Sequence, residues 1–215
     1  MKSLQIDFVS DVACPWCAVG LNSFERALEQ LAPEVDAQVR MQPFELNPDM
    51  AAVGADTVQY LSAKYGIDEA QIRRNQANIR ERGAAVGFTF GDRTRVWNTF
   101  DAHRLLHWAG IEGPEFQRKL EHALLQAYHG DGRNPGARDV LIELAGAVGL
   151  DPARAQAILD SDEYAEAVRA EERFWLEAGI HSVPSVVVNR RHLIQGAQPP
   201  EAFVQALRQI VAAGA

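Results

Sequence analysis

The sequence predicts an α/β fold in which a strand–helix–strand unit and a strand–strand–helix unit are separated by a large all-helical insertion. Three observations predict it. Near the N-terminus apolar residues alternate and then switch, at Cys14, to helical spacing. From about Asp56 to Ala178 the pattern stays almost wholly helical and is punctuated by cap signals. Beyond that, a β-branched run, a turn and a short second run lead into an amphipathic helix.

The first strand covers Leu4–Ser10, with Leu4, Ile6 and Phe8 on one face, and ends at the Asp11-Val12-Ala13 connection. A helix follows at once. Val19, Phe24, Leu28 and Leu31 recur at helical spacing up to Pro33, and Pro15 takes a first-turn position where a missing N–H costs nothing. Val39–Leu46 reads as the second strand, with Pro43 restricting how its ladder can pair. Helix starts are expected at Asp68 with Gln71, Gly113-Pro114, Asn134-Pro135 and Asp151-Pro152, and helix ends at Gly66, Gly110, Gly149 and Gly179. Ser185–Asn189, a turn at Arg190 and His192–Gln195 form a hairpin closed by Gly196. Pro199-Pro200 opens the last helix, which carries Phe203, Leu207, Ile210 and Val211. Residues 1–55 and 178–215 would then make one discontinuous domain, and 56–177 a helical insertion domain. With the insertion removed, βαβ followed by ββα is the order of the thioredoxin fold.

Composition narrows the function. A hydrophobic fraction of 47% with 23% charged residues, interspersed rather than blocked, is that of a globular protein. A net charge of -8 argues against nucleic acid as a partner, because phosphate binding needs clustered Lys and Arg. The arginine-dense stretch Arg73, Arg74, Arg80 and Arg82 is interleaved with Glu69 and Glu81 at helical spacing and reads as a solvated helix face. The N-terminus MKSLQIDFVSD lacks an apolar run of signal-peptide length, and no stretch is long enough to span a bilayer. The expectation is a cytoplasmic protein with no membrane partner.

The chain has two cysteines, Cys14 and Cys17, three positions apart. Such a pair closes too short a loop to be an effective structural staple, so its residues point to redox chemistry or metal binding. Zinc would need further donors. The plausible ones, His103 and His107, stand one helical turn apart but far from the cysteines, and no second pair has zinc-finger spacing. Redox chemistry is favoured, with no metal and no bound cofactor. At a helix start, unsatisfied N–H groups and the positive end of the helix dipole stabilise Cys14 as an anion, while Cys17, one turn on, can attack a mixed disulfide. Pro15 and Trp16 between them tune the balance of thiol and disulfide. A second constellation, Gly179-Ile-His-Ser-Val-Pro-Ser-Val-Val-Val-Asn189, places Val183-Pro184 immediately before a strand, where a cis X-Pro turn could pack against the cysteines and expose backbone to an extended substrate. An ordinary trans proline is the alternative.

Cys-Pro-Trp-Cys near the N-terminus, the helical insertion and Val183-Pro184 before the hairpin resemble the DsbA-like superfamily. The phrases DVACPWC, PFELNPDM, NTFDAHRLLHWA, GIHSVPSVVV and IQGAQPPE resemble its FrnE-type subgroup of cytoplasmic thiol oxidoreductases, through nearly the whole chain. The resemblance implies a thiol:disulfide oxidoreductase with Cys14 as nucleophile, Cys17 as resolving thiol and cis-Pro184 facing a thiol- or disulfide-containing peptide or small molecule. Many relatives form dimers and the apolar helical insertion offers a surface for a homodimer, with the oligomeric state left open.

Two alternatives stay open. The kappa-class glutathione transferases and 2-hydroxychromene-2-carboxylate isomerases share the fold but typically carry serine where Cys14 stands. Because Asn98 and the GAQPP turn resemble that branch, glutathione remains a candidate co-substrate. A non-enzymatic, redox-sensing peptide-binding module is the other. His181, three residues before Pro184, could lie beside Cys14 and stabilise its thiolate, though a loop histidine in water is commoner. Thioredoxin-fold enzymes often hold a carboxylate under the resolving cysteine. Asp7 and Asp11 are the nearest in sequence, each expected to be solvated at a strand end. Trp97, Trp108, Phe174 and Trp175 read as core or groove-lining side chains.

Overall fold

The computed structural model describes residues 1–214. In chain order, β1 (Lys2–Ser10), α1 (Pro15–Leu31) and β2 (Val35–Pro43) precede the two-residue strand β3 (Ala55–Asp56), α2 (Thr57–Tyr65), α3 (Glu69–Ala85) and a second two-residue strand, β4 (Arg95–Val96). Next come α4 (Phe100–Glu112), α5 (Pro114–Leu125), α6 (Arg138–Ala147), α7 (Pro152–Leu159) and α8 (Ala165–Glu177), with a π-helical turn at Gln126–Gly130 extending α5. The chain ends in β5 (Ser185–Val188), β6 (His192–Gln195) and α9 (Pro200–Ala212).

A four-stranded sheet in the order β2-β1-β5-β6 lies at the centre, with β1 and β2 parallel and the other pairs antiparallel. Leu4, Ile6 and Phe8 send their side chains to the face that α1 and α9 cover, because successive strand residues alternate sides. Phe24 of α1 sits between Phe8 and Phe203, with ring centroids 5.9 and 5.2 Å away. On the opposite face Val9 and Val187 pack against Phe44, Trp175 and Ile180. This is the thioredoxin fold with helices inserted between β2 and β5.

The inserted helices have their own core, in which Leu105, Trp108, Leu120, Leu124, Leu141 and Ile158 are buried together. Val12 and Ala13, from the loop after β1, belong to this second core, whereas Cys14 and Cys17 belong to the sheet core. The β1–α1 loop is therefore shared by both.

Several local expectations need correction. The second strand runs over Val35–Pro43 rather than Val39–Leu46, since the parallel register pairs Lys2 with Val35 and Ser10 with Pro43. Past Phe44 the chain leaves the sheet, and the Leu46 N–H goes to the Asp11 carboxylate instead of a ladder. The insertion is not all helix: β3 and β4 pair antiparallel, Ala55 opposite Val96. Asn134-Pro135 is a turn, closed by the Gly136 N–H on Asn134 Oδ1, and α6 starts only at Arg138. Gly110 does not end α4, which continues to Glu112. Its missing side chain makes room for the Gln117 amide, whose Nε2 would lie 2.8 Å from a Cβ there.

That amide has a structural task at the sheet edge. Gln117 Oε1 accepts from the Met41 N–H and its Nε2 donates to the Met41 carbonyl, each at 3.0 Å, so one side chain pairs with β2 as a neighbouring strand would. Gln117→Ala should strand both buried backbone groups and lower stability by about 1–3 kcal/mol, the cost of unsatisfied buried polar groups. Urea midpoints of the two proteins test this, and equal midpoints would mean that the edge finds other partners.

Candidate active site

Cys14 is the N-cap of α1, in extended conformation, and Pro15 opens the helix behind it. The Cys14 N–H donates to the Asp11 carbonyl at 2.9 Å and the Cys17 N–H to the Cys14 carbonyl at 3.0 Å, so the loop enters the helix through two tight turns. Both cysteines are free thiols. Cys14 is 4% exposed and Cys17 wholly buried, which makes the pair asymmetric: only the first can be reached from outside.

The Cys14 thiol donates to the Val183 carbonyl at 3.6 Å, and the Cys17 thiol lies buried next to Cys14. Burial first, then the bond and charge of Cys14, push the Cys17 thiol well above its ordinary range; the Asp11 backbone opposes this, and the Glu121 carboxylate adds to it. The Val183–Pro184 peptide bond is cis. The proline ring rests on α1 at Gly20, where a Cβ would lie 2.7 Å from Pro184 Cγ, so the absence of a side chain there lets the loop approach the helix.

In front of Cys14 lies a cavity of about 520 Å³. Cys14, Pro15 and Trp16 form one wall, and α2 and α3 form the other, contributing Tyr60, Lys64 and Tyr65 among others. Arg93, from the segment before β4, also lines it and donates to the Ala13 carbonyl at 3.2 Å.

Behind the cysteines is a buried polar seam. Asp11 Oδ1 accepts from the Ala13 N–H and the Thr99 hydroxyl at 2.9 and 2.8 Å and lies 3.4 Å from His103 Nε2, while Oδ2 accepts from the Leu46 N–H at 2.6 Å. Asp11 is thus fully buried, not solvated as its place at a strand end suggested. Asp7 is also buried, but on the sheet face away from α1, where Gln42 donates to it, so it cannot lie under Cys17. Glu121 of α5 accepts from the Ser10 hydroxyl at 2.8 Å and keeps its other carboxylate oxygen buried without a partner. Burial raises Glu121 above the usual carboxylate range, against the pull of His103 and Ser10. Burial alone would lower the His103 imidazole, but the bond and charge of Asp11, with Glu121 and Glu172 beyond, lift it to about 9. Further along, burial and the charge of Glu172 raise Glu45 to about 7, although Arg169 bridges the two carboxylates.

Cys14, Cys17, Pro15, Trp16, Val183 and Pro184 are brought together. Asn98 and His181 are not part of this arrangement. Asn98 Oδ1 accepts from the Phe100 N–H at 2.9 Å and so caps the start of α4. His181 is exposed and lines none of the described cavities. Trp108 and Trp175 are buried and Trp97 packs against the helical core, but Phe174 is 47% exposed and lines none of the described cavities, so it is neither core nor groove-lining. His103 and His107, the candidate metal donors, face Asp11 and Glu171 respectively. Sequence reasoning passed over Glu121, Lys64 and Arg93. For Glu121 a signal existed: with Gln117 it interrupts the apolar face of α5 formed by Leu120, Leu124 and Leu125.

A dithiol at the start of the first helix, faced by an X-Pro loop, defines a thioredoxin-like dithiol protein. Residues 5–208 match the DSBA-like thioredoxin domain, and the chain belongs to that family. Its structure is similar to a probable DsbA oxidoreductase, SCO1869 from Streptomyces coelicolor, with 36% identity, 96% of this chain and 89% of the other covered, and a TM-score of 0.87. The Bacillus subtilis (strain 168) protein YwbO is 27% identical over 217 residues, 95% of this chain and 96% of its own. At 17% identity and a TM-score of 0.65, the cytosolic disulfide reductase DsbM from Pseudomonas aeruginosa, solved with GSH, shares the fold over 97% of this chain and 99% of its own.

The raised His103 has a consequence for stability. The folded protein holds a proton that the unfolded imidazole releases near pH 6.5, so the contribution is complete below that pH and is lost as pH rises through about 9. Between pH 7 and 8 stability should fall by at most about 1.4 kcal/mol per pH unit, and His103→Gln should flatten this slope. Denaturant titrations across that range test it; a slope that survives in the variant would assign it to another group.

Proposed function

We propose that the protein is a thiol:disulfide oxidoreductase that cycles Cys14 and Cys17 between dithiol and disulfide. The observation that carries this reading is the placement of two free thiols at the start of α1, Cys17 buried behind Cys14, with the Cys14 thiol donating to the Val183 carbonyl of the cis-proline loop at the wall of a cavity. In the oxidising direction for the substrate thiols, the steps run in reverse of those for a substrate disulfide. In the latter, the Cys14 thiolate attacks one substrate sulfur, an S–S bond forms and the substrate S–S bond breaks, releasing one thiolate. Cys17 then attacks Cys14 Sγ, forming the intramolecular disulfide and expelling the second thiolate, so two electrons pass from protein to substrate.

The second step requires Cys17 to lose a proton that its surroundings hold tightly. A carboxylate with an ordinary acidity would be a poor acceptor, and the burial that raises Glu121 narrows the mismatch. Glu121 therefore takes the place that sequence reasoning sought at Asp7 or Asp11. On this reading no metal participates, a low-molecular-weight thiol such as glutathione serves as co-substrate, and the FrnE-type phrases and the use of both cysteines in one redox pair favour a cytoplasmic setting.

Equilibration with glutathione redox buffers, followed by thiol trapping and Trp16 fluorescence, should give a single two-electron transition that is lost in Cys14→Ser. The absence of an intramolecular disulfide at every buffer ratio would overturn the reading. For the proton acceptor, Glu121→Gln should leave mixed-disulfide formation by Cys14 unchanged while slowing its resolution by Cys17 about 10²-fold near neutral pH, the scale of general base catalysis. Stopped-flow traces compared with a Cys17→Ser trap separate the two steps, and equal slowing of both would remove Glu121 from that role.

A further inference from the structure

We infer that the cavity in front of Cys14 selects low-molecular-weight disulfides bearing carboxylate groups, rather than disulfides of folded or unfolded proteins. This deepens the oxidoreductase reading and rests on it. The first support is charge. The chain as a whole carries -8, yet the residues lining this cavity include Lys64 and Arg93 and no Asp or Glu. Neither cation is spent on an acid: Lys64 donates to the Leu46 carbonyl and Asn47 Oδ1, both at 2.7 Å, and Arg93 to the Ala13 carbonyl. Those neutral partners leave donors over on both groups. The positive end of α1 opens onto the same space.

The second support is access. Cys14 is 4% exposed and forms part of the cavity wall, so a disulfide must enter the cavity to reach it. A volume of about 520 Å³ falls in the range of small-molecule sites, about 300–1,000 Å³. Cys14, Tyr65 and Arg93 line the same cavity, and the charges of both Cys14 and Arg93 act on the Tyr65 hydroxyl, so the nucleophile and the cation share one small space. An acid carried a few bonds from the reacting sulfur would meet Arg93 or Lys64 as the sulfur meets Cys14.

The bulk charge predicts the opposite preference, since a net-negative protein repels anions. The test exploits this. The reduced full-length protein is mixed at low ionic strength with 3,3′-dithiodipropionate, with cystamine or with a denatured protein disulfide, and thiol loss is followed by trapping. Each rate is divided by that of dithiothreitol with the same disulfide, which removes the intrinsic reactivity of each probe. The dianionic probe should be favoured over cystamine by about tenfold, the scale of electrostatic steering, and salt should erode the preference. Lys64→Gln and Arg93→Gln should each slow the dianionic probe without slowing cystamine, and the salt dependence provides the same reading in the unmutated protein should either variant fail to fold. Equal rates, a preference for cystamine, or faster reaction with the protein disulfide would overturn the inference while leaving the oxidoreductase reading intact. Failure of all three probes to form the Cys14–Cys17 disulfide would overturn both.

Discussion

The arrangement depends on one buried carboxylate. Asp11 follows the last residue of β1, and its two oxygens hold the Ala13 N–H inside its own loop, the Leu46 N–H beyond β2, the Thr99 hydroxyl before α4 and the imidazole of His103 within α4. These partners come from both sides of the boundary between sheet and helical insertion. A buried acid is costly unless it is fully hydrogen-bonded, so the four partners must be present together. That requirement fixes where the insertion sits relative to the loop that carries Cys14. Truncating the acid would leave two backbone N–H groups and a charged imidazole without their acceptor.

The electrostatics divide along this loop. Behind it the acids Asp11, Glu121, Glu45 and Glu172 are buried, with His103 and Arg169 as their counter-charges. In front, the cavity is lined by apolar side chains and neutral polar groups together with Lys64 and Arg93, and by no acid. Cys17 faces the acidic side and is held protonated, whereas Cys14 faces the basic side. An incoming disulfide therefore meets Cys14 first, at the cavity wall, and the buried second thiol stays masked until the first has reacted. The order of attack follows from exposure and from the burial that holds the Cys17 proton.

Much of this architecture is legible in the sequence because it is written in periodicity. The switch from alternation at Leu4, Ile6 and Phe8 to helical spacing after Cys14, and the hairpin at Ser185–Gln195, give the sheet order once βαβ and ββα are joined. Cys14, Cys17 and Val183-Pro184 could be brought together on that basis. The strand at Val35–Pro43 alternates strictly, Val35, Ala37, Val39 and Met41 against Asp36, Gln38, Arg40 and Gln42, but the apolar Phe44 and Leu46 prolong the pattern beyond the ladder because they pack with Val9 and Trp175 outside it. Glu121, Lys64 and Arg93 reach the site through long-range packing of the insertion against the loop, and for the two cations no local pattern encodes it. Asp11 stands at a strand end, where the sequence predicts solvation, because burial of an acid is decided by partners 35 to 92 residues away.

Access to Cys14 depends on the part of the molecule least anchored by burial. Of the 17 residues of α3 only Ile72 and Gly83 are buried, and of the 9 residues of α2 only Thr57 is. By contrast, α1 on the other side of the cavity buries Cys17, Leu21, Phe24 and Leu31 among others. Elements with few buried apolar contacts open at lower free-energy cost than the core, so parting α2 and α3 from the wall costs less than displacing α1. The rigidity needed for ordered attack and the mobility needed for entry are thereby assigned to different elements. The cover of Cys14 is held by fewer buried contacts than the Asp11-tied loop, so admitting a small substrate costs less than displacing the nucleophile.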